Sequence, residues 1–324
     1  MKLRQASHLM EGFVRGYLIY RREEAVRNEA FIRLFYEEGK ALGISFQYVP
    51  YEEYRVRELP DFVLNRTRDA AVSHWYEEKK VLVLHSSFLT EIGNHKMKTL
   101  QYLQKMLPAC VQEQKWAPAS FLLSKEKVLK WLEAAKRKEY EMFSEAHAFW
   151  ETDGSCILKS VDGHGGSEVT ELFAPYGKTE DKRQEAWEQL YQTISLFRGK
   201  ECMLQEKIAS DSRDVRIYIL GGQIYRAMAR QGKKDFRSNF SLGGLAACYE
   251  LSEQEKRYVQ KFLKAFQRET LGLIGLDFII DRNGTLIFNE LEEMVGTRML
   301  YQNTDCNIVR DYVKWILCYY SRLF

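Results

Sequence analysis

The sequence predicts an α/β domain followed by an α+β region built around antiparallel sheet. The chain has 324 residues, which is more than one hydrophobic core usually serves, so two or three packed subdomains are expected. In the first third, short apolar strands alternate with helical patterns, as in a small, mostly parallel sheet with helices on its faces. From residue 157 onward, paired strand patterns dominate, which indicates antiparallel sheet.

The elements of the first third follow from periodicity. The segment 23–43 repeats apolar residues at helical spacing and ends at a glycine, so it is predicted to be one helix. The predicted strands of this part are GYLIY (16–20), SFQYVP (45–50), DFVLNR (61–66) and VLVLHS (81–86).

The later elements begin with two predicted helices at 94–107 and 124–143. Glycine-containing turns at 220–224 and 281–285 predict two hairpins, because glycine adopts the dihedral angles that such turns need. Further helices are predicted at about 181–198, 252–271 and 305–320, and strands at 156–161, 168–173, 202–208, 214–220, 223–230, 276–280 and 285–291.

Composition excludes several classes of protein. The net charge is +3 and the basic residues are scattered, so no basic stripe indicates nucleic-acid binding. The six cysteines show no metal-binding spacing and lie among apolar residues, which favours a reducing cytoplasm. No apolar run is long enough for a signal peptide or a membrane span. The aromatic-rich end (312–324) is interpreted as a core-packed helix; the oligomeric state stays open, with a dimer contact through this end as the alternative.

The stretch ILKSVDGHGGSEV (157–169) places a lysine at a strand end, before a glycine-rich loop. One interpretation is an ordinary turn that needs glycine. The other is a phosphate cradle, in which backbone N–H groups donate to phosphate oxygens and the lysine supplies charge. The stretch by itself leaves both interpretations open. The residues concerned are Lys159, Gly163, His164, Gly165 and Gly166.

The segment 205–239 carries charged residues that strand alternation does not explain. Asp214 and Arg216 share one face of a strand because they are two residues apart. They are either a solvated surface ion pair or part of an anion-handling site, since guanidinium groups bind phosphate and carboxylate with two hydrogen bonds. Arg230, Arg237 and Asn239 belong to the same group of candidates.

Three carboxylates in the segment 275–299 predict a metal site. Glu290 and Glu292 are two apart on one strand, and a hairpin through DRNG places Asp277 opposite them. Carboxylates between apolar strands repel unless a cation lies among them, and oxygen ligands suit Mg²⁺; the alternative is a hairpin with one wet face. Phosphate loop, arginines and carboxylates together indicate ATP–Mg²⁺ chemistry, while no Walker A or kinase motif is present.

The order of these motifs resembles the ATP-grasp superfamily, and within it the RimK-like carboxylate–amine ligases. HKMKTLQYL (95–103), the glycine loop, MLQEKIASDSRDVR (203–216), KKDFRSNFSLGG (233–244) and LDF…FNELE carry the resemblance. GYLIY…PDFVLNRTRD (16–69) resembles the domain that precedes it. The resemblance implies an ATP-grasp fold, α/β and α+β, preceded by a small Rossmann-like pre-ATP-grasp domain. The implied domains are 1–93, 94–200 with the phosphate loop, and 201–324 with the metal site.

The resemblance also implies roles for individual residues. Lys96 and Lys159 would contact the α- and β-phosphates, and the loop 162–167, with Gly163, His164, Gly165 and Gly166, would close over them. Gln205, Glu206, Lys207 and Ile208 would bind adenine, and Asp214 would approach the ribose, with Arg216 on the same strand. Arg237 and Asn239 would face the γ-phosphate and the acyl phosphate, with Arg230 as a further catalytic residue and Ser238 as a further nucleotide-binding residue. Asp277, Glu290 and Glu292 would hold Mg²⁺, with Mn²⁺ as the alternative cation, and Arg298 is a weaker candidate for binding a substrate carboxylate.

Two positions depart from the family pattern. Glu292 stands where the last metal ligand is usually Asn, which makes the site more negative and alters its metal preference. His95 stands where an acidic residue is common.

The implied reaction is ATP-driven ligation of a carboxylate with an amine or thiol through an acyl phosphate. One alternative is a ligase that acts on a peptide or a protein terminus, with Arg66 and Arg68 at a predicted strand end either holding a carboxylate substrate or forming a surface turn. The alternative from another class is a catalytically silent ATP-binding module. The expected partners are a small carboxylate and an amine, or a peptide.

Overall fold

Three β-sheets organise the described part of the chain, and the two later ones build the candidate site. The structure is a computed structural model that describes residues 14–164, 168–232 and 245–323. Three ranges that matter for the sequence predictions therefore lie outside it: residues 1–13, residues 165–167 of the glycine loop and the KKDFRSNFSLGG segment (233–244).

The first sheet is parallel, as the alternation of strands and helices predicts. Its elements are β1 (Val14–Tyr20), α1 (Arg22–Arg27), α2 (Glu29–Leu42), β2 (Ile44–Pro50), β3 (Phe62–Asn65), α3 (Ala70–Glu78), β4 (Leu82–Val83) and α4 (Ser87–Gly93). The strand order is β2-β1-β3-β4. Alternate residues of β1 pack on opposite faces: Leu18 joins α2 in one core cluster, and Ile19 joins α3 in another. Both faces are therefore covered, which is why β1 is apolar almost throughout.

The second sheet is antiparallel and carries the glycine loop between two of its strands. The elements of this part are α5 (Lys96–Met106), α6 (Ala109–Gln112), β5 (Ser120–Leu123), α7 (Lys125–Arg137), α8 (Ser144–Asp153), β6 (Ser155–Ser160), β7 (Val169–Phe173), α9 (Glu180–Ser195) and β8 (Cys202–Gln205). The strand order is β5-β8-β6-β7. Its core contains Trp131, Phe143 and Trp150, which are fully buried.

The third sheet is also antiparallel and supplies most charged residues of the candidate site. The elements are β9 (Arg213–Leu220), β10 (Gln223–Gln231), β11 (Leu245–Tyr249), α10 (Glu253–Ala265), β12 (Leu273–Ile280), β13 (Leu286–Glu292), α11 (Arg298–Asn303) and α12 (Ile308–Leu323). The strand order is β11-β10-β9-β12-β13. The predicted β9–β10 hairpin is confirmed: Gly221 and Gly222 turn it with φ angles of +59° and +76°.

One hydrophobic core joins the first sheet to the third. The first sheet and its helices (residues 14–93) are called the first unit below. Its Leu18 and Phe35 share a cluster with Leu273 of β12 and Val313 of α12. The aromatic-rich C-terminal helix therefore packs in the core along part of its length, and Asn307 donates a hydrogen bond of 2.6 Å to Glu38 across the same junction.

Several element boundaries differ from the predictions. The helix predicted at 23–43 is divided at Asn28, whose side-chain amide donates to the carbonyl of Glu24 at 2.7 Å. The helix predicted at 124–143 ends at Arg137, because Lys138 adopts a left-handed conformation with φ of +59°. The strand predicted at 202–208 ends at Gln205, where the chain leaves the second sheet for the third.

Among the described residues, no helix is both long enough and apolar enough to cross a lipid bilayer.

Candidate active site

Three carboxylates meet on the β12–β13 hairpin, as the sequence predicts. Asp277 pairs directly with Glu290 across the two strands, and Glu292 follows on the same face of β13. The strands slip register between Asp277 and Phe278. One oxygen from each of Asp277, Glu290 and Glu292 lies within 4.8 Å of the others. We call these three residues the carboxylate triad.

Two arginines from the neighbouring strands neutralise much of the triad's charge. Arg216 donates to both oxygens of Asp277, at 2.7 and 2.6 Å, and to Glu292 at 3.0 Å. Arg230 donates to Asp277 at 2.7 Å and to both oxygens of Asp214, at 2.6 and 2.7 Å. Of these five groups, the four other than Glu292 are at most 8% exposed. The interpretation of Asp214 and Arg216 as a solvated surface pair is therefore wrong: both are buried, and each pairs across strands.

The pKa values of the triad show that its negative charge is incompletely balanced. Burial raises the pKa of Asp277, but Arg216 and Arg230 outweigh it and lower the pKa to about 2. Burial raises the pKa of Glu292 to about 7, and the neighbouring Glu290 and Asp277 add to the effect against Arg216. A further cation beside Glu292 would relieve this cost.

The donor set fits a hard divalent cation. All three groups offer carboxylate oxygens, which Mg²⁺ prefers, and their spacing allows one ion to contact them together. Glu292 stands where the family pattern has Asn, and the negative charge that it adds is partly balanced by Arg216, which donates a hydrogen bond to it. The residues present thus fit Mg²⁺, and Mn²⁺ would meet the same ligands.

Two lysines lie near the triad, one on β6 of the second sheet and one at the start of α5. Lys159, on β6, is 4% exposed and donates to Asn289 Oδ1 at 3.1 Å. Burial, with a contribution from Lys96, lowers the pKa of Lys159 to about 8, although Glu290 opposes the shift. Lys96, the first residue of α5, donates to the carbonyl of Gly163, and its Nζ lies 3.6 Å from Glu290. One lysine therefore links the glycine loop to the triad.

The glycine loop begins tightly packed. A Cβ on Gly163 would lie 2.9 Å from Glu168 and 3.2 Å from Ser160, so glycine is needed there for space. His164 follows, and burial, Arg68 and Lys96 lower its pKa to about 4. Gly165 and Gly166 lie outside the described residues.

His95, which stands where the family pattern has an acidic residue, caps the N-terminus of α5. It is the N-cap of α5, and its ring Nδ1 accepts a hydrogen bond from the backbone N–H of Lys98 at 3.3 Å. Its Nε2 lies 3.2 Å from Glu201. The histidine thus caps the helix that presents Lys96.

The segment predicted to hold adenine connects the second and third sheets. Gln205 is buried and donates to Ser120 at 3.0 Å, and the N–H of Glu206 donates to the carbonyl of Ala119 at 2.9 Å. Lys207 donates to Glu171 at 2.6 Å, and Ile208 is half-buried. Arg237, Ser238 and Asn239 lie outside the described residues, so their predicted contacts stay predictions.

A cavity of about 480 Å³ lies between the first unit and the third sheet. Arg66 and Arg68 line it together with Arg216, Arg230 and Glu292. Arg66 and Arg68 therefore border the same cavity as Glu292, and both interpretations of the 65–69 segment, a carboxylate-binding strand end and a surface turn, stay open.

Sequence reasoning missed a buried polar group behind the triad. Glu293 is 1% exposed; it lies 2.8 Å from His85 Nδ1 and accepts from Asn94 at 3.1 Å. Burial raises its pKa, but His85 and Arg66 outweigh that and lower it. The sequence does contain a signal for this residue. Glu293 follows Glu292 directly, so strand alternation places its side chain on the face away from the triad.

The fold and the site together define the class of protein. A lysine at a strand end before a glycine loop faces a carboxylate hairpin across two antiparallel sheets, in the order that the resemblance to ATP-grasp ligases implies. A sequence model described as the RimK-like ATP-grasp domain matches residues 122–316. The chain belongs to the RimK-like ATP-grasp family.

Two relatives illustrate how far the sequence likeness extends. The chain is 27% identical over 239 residues to the uncharacterized protein MG012 homolog of Mycoplasma pneumoniae, covering 72% of each chain. It is 30% identical over 127 residues to the ribosomal protein bS6–L-glutamate ligase of Escherichia fergusonii, covering 38% of this chain and 41% of the relative. The chain thus matches less than half the length of this ligase.

Solved structures share the fold over almost the whole chain. The D-alanine–D-alanine ligase from Bacillus anthracis has a TM-score of 0.64 at 12% identity, covering 96% of this chain and 98% of that one. The ATP-grasp ligase PsnB, complexed with minimal precursor, Mg and ADP, has a TM-score of 0.59 at 15% identity, covering 94% and 98%. At these identities the likeness concerns the fold alone.

Proposed function

We propose that this protein is an ATP-dependent ligase that joins a carboxylic acid to an amine through an acyl phosphate, releasing ADP and phosphate. The observation that carries the proposal is the contact between Lys96 and the carboxylate triad. Its Nζ lies 3.6 Å from Glu290 and also contacts the glycine loop, so phosphate-binding and cation-binding groups share one small volume. Nucleotide phosphates and their cation need that combination.

Different residues bind different parts of the nucleotide. Lys96 and Lys159 neutralise the α- and β-phosphates, and the glycine loop covers them. The triad would hold Mg²⁺, and a bound cation would supply positive charge for the transferring phosphoryl group. Adenine lies against the connection between the two sheets, with Asp214 the candidate nearest the ribose, although both its oxygens already accept hydrogen bonds from Arg230. The nucleotide-binding set is Gln205, Glu206, Lys207, Ile208, Asp214, Arg216, Arg237, Ser238 and Asn239.

The chemistry needs no nucleophilic side chain. A carboxylate oxygen of the acid attacks the γ-phosphorus, and the bond to the β,γ-bridging oxygen breaks, so ADP leaves. The amine nitrogen then attacks the acyl carbon, loses a proton, and inorganic phosphate departs. Arg230 and Arg237 offset the charge that moves between these groups, and positioning supplies most of the acceleration.

Two other functions would use parts of the same site. A ligase that modifies a peptide or protein terminus is favoured by two of the similar proteins, one named for ribosomal protein bS6 and one complexed with a precursor. A silent ATP-binding module is disfavoured, because Lys96, Lys159 and all three carboxylates are in place.

The test is nucleotide product formation with Mg²⁺–ATP and pooled acids, amino acids and peptides, with ADP resolved from AMP. We expect ADP and phosphate only when an acid pool and an amine pool are both present, and the productive pool separates small-molecule from peptide ligation. AMP would contradict the acyl phosphate. ATP binding without any product would favour the silent module.

Raising the pH above 8 should weaken binding of Mg²⁺–ATP, because Lys159 has a lowered pKa of about 8 and loses its positive charge there. Between pH 7 and pH 9 we expect a loss of affinity of about tenfold, since each pH unit above the pKa removes most of the remaining charged form. Lys159→Arg should flatten the dependence, because arginine stays protonated. Calorimetry with a non-hydrolysable ATP analogue measures both; because Glu292 also titrates in this range, the same pH dependence in the wild type and in Lys159→Arg is the result that would refute the role of Lys159.

A further inference from the structure

A small cavity lies beside the triad, in addition to the larger one that the arginines line. Its volume is about 40 Å³, which is well below that of a substrate pocket. Lys96, Glu290 and Glu292 line it together with Asn94 and Glu293. Asn94 and Glu293 therefore lie beside the lysine and the carboxylates that we assign to nucleotide and cation, although the proposed function gives these two residues no role.

The side chain of Glu293 connects three parts of the chain. One of its oxygens lies 2.8 Å from Nδ1 of His85, which follows β4 in the first unit. The other oxygen accepts a hydrogen bond of 3.1 Å from the amide of Asn94, between α4 and α5. Its own backbone follows Glu292 of the triad directly. One buried carboxylate thus ties the first unit and the start of α5 to the strand that carries the triad.

The turn that holds Asn94 packs tightly against β13. Only Asn94 and His95 separate α4 from α5, and Lys96 is the first residue of α5. A Cβ on Gly93, at the end of α4, would lie 2.7 Å from Glu293 Cβ and 3.3 Å from Leu291. The Asn94 amide also donates to the carbonyl of Thr90 at 2.8 Å. The position of Lys96, two residues after Asn94, is therefore set by the contact of this turn with β13.

Packing alone does not call for a carboxylate at position 293. A buried charge costs free energy of desolvation, which hydrogen bonds offset, and buried ionic groups can often be replaced by apolar residues without loss of stability. A charge-assisted hydrogen bond adds a fixed distance and direction, which an apolar contact does not. Glu293 is 1% exposed and uses both oxygens in this way. Its contacts therefore fix geometry at the place where Lys96 and the triad meet.

We propose that Glu293 and Asn94 are positioning residues, whose contact holds Lys96 at the distance from the triad at which both reach the same Mg²⁺-bound nucleotide. The inference rests on the proposed function, because it takes Lys96 and the triad to be the nucleotide site. Neither residue touches the reacting atoms. Asn94 acts through Lys96, and Glu293 acts through Glu292, its neighbour in the chain.

The first test measures the affinity for a non-hydrolysable ATP analogue with Mg²⁺ by calorimetry. Asn94→Ala removes the donor, and Glu293→Gln keeps the size of the side chain but turns one acceptor oxygen into a donor. We expect each variant to bind the analogue about fivefold more weakly, within the range of coupling in one hydrogen-bond network. Because contacts to bound nucleotide are weakened, KM for Mg²⁺–ATP should rise by a similar factor, while kcat stays within about twofold.

The second test asks whether Asn94 acts through Lys96. Lys96→Met keeps the length of the side chain without its charge, and Lys159 and the triad remain to bind the analogue. In this background, adding Asn94→Ala should change the affinity by less than about twofold, because the lysine that Asn94 positions is gone. A purely structural asparagine would lower the affinity by the same factor in both backgrounds.

Asn303→Ala is the matched control. The amide of Asn303 donates to the carbonyl of Met299 at 2.9 Å, four residues earlier, as Asn94 does to Thr90, but Asn303 does not line the small cavity. This variant should keep the wild-type affinity and KM. Circular dichroism identifies the folded variants. If Glu293→Gln does not fold, Asn94→Ala decides, because Asn94 is only half-buried.

The outcomes separate this inference from the proposed function. Wild-type affinity in Asn94→Ala, or an equal loss with and without Lys96, would overturn the positioning pair and leave the ligase intact. The expected losses in analogue binding, together with no ADP from any pool of acids and amines, would support the positioning pair and refute ligation. A wild-type protein that does not bind the analogue at all would overturn both.

Discussion

Glu290→Gln is expected to reduce Mg²⁺-dependent turnover by about 10²–10³-fold or more, as removal of one charge-stabilising group from a reacting centre does. The substitution keeps the shape of the side chain and removes one of three carboxylates that lie within 4.8 Å of one another. The concentration of Mg²⁺ needed for half-maximal activity should rise at the same time. Steady-state ADP release across a Mg²⁺ titration measures both effects.

Glu290 is a cleaner test of the metal site than Asp277. Asp277 holds two buried arginines, so its removal would also disturb the fold, whereas Glu290 contacts Lys96 at 3.6 Å. Glu91→Gln is the control: Glu91 pairs with Lys98 on the surface at 2.6 Å, and its loss should change neither quantity. Near-normal activity of Glu290→Gln with an unchanged Mg²⁺ requirement would mean that the triad does not bind the catalytic metal.

Arg230→Met should lower the free energy of unfolding by about 3–5 kcal/mol, because breaking a buried ion pair leaves a charge unpaired in the interior. Arg230 is 5% exposed and donates to both Asp214 and Asp277. Methionine fills a similar length without charge, so the effect reports mainly the loss of the positive charge beside Asp214 and Asp277, the second of which Arg216 still binds. Urea denaturation of both proteins without Mg²⁺ measures the difference.

A surface arginine provides the comparison. Arg33→Met breaks an exposed pair with Glu29 and should change the free energy of unfolding by less than about 0.5 kcal/mol. Mg²⁺ should restore part of the stability of Arg230→Met, because a cation at the triad replaces lost positive charge. Equal stability of Arg230→Met and wild type would show that the buried network is dispensable to the fold.

Strands with buried apolar residues could be predicted from the sequence, including the four-residue β3 and β8, whereas exposed strands and the break in a helix could not. The strands β1, β9 and β12 carry enough apolar residues to indicate their type. The four-residue β5 and the five-residue β11, with mostly exposed side chains, give no such pattern. The break at Asn28 depends on a local hydrogen bond from its side chain, which apolar periodicity does not report.

The triad could be predicted because its spacing is local. Glu290 and Glu292 share a face by strand alternation, and one hairpin turn brings Asp277 to them. The partners of these carboxylates depend on the register between β9, β10 and β12, which the sequence does not display. The same holds for the arginines of the first unit, which reach the cavity only through the packing of two sheets.

The most direct test of the ligase mechanism follows oxygen atoms. The acid found in the product assay is labelled with ¹⁸O in its carboxylate and turned over with Mg²⁺–ATP and the amine. An acyl phosphate requires one labelled oxygen to leave with inorganic phosphate, so we expect phosphate that carries a single ¹⁸O. Label recovered in AMP, or product formed with unlabelled phosphate, would contradict the proposed mechanism.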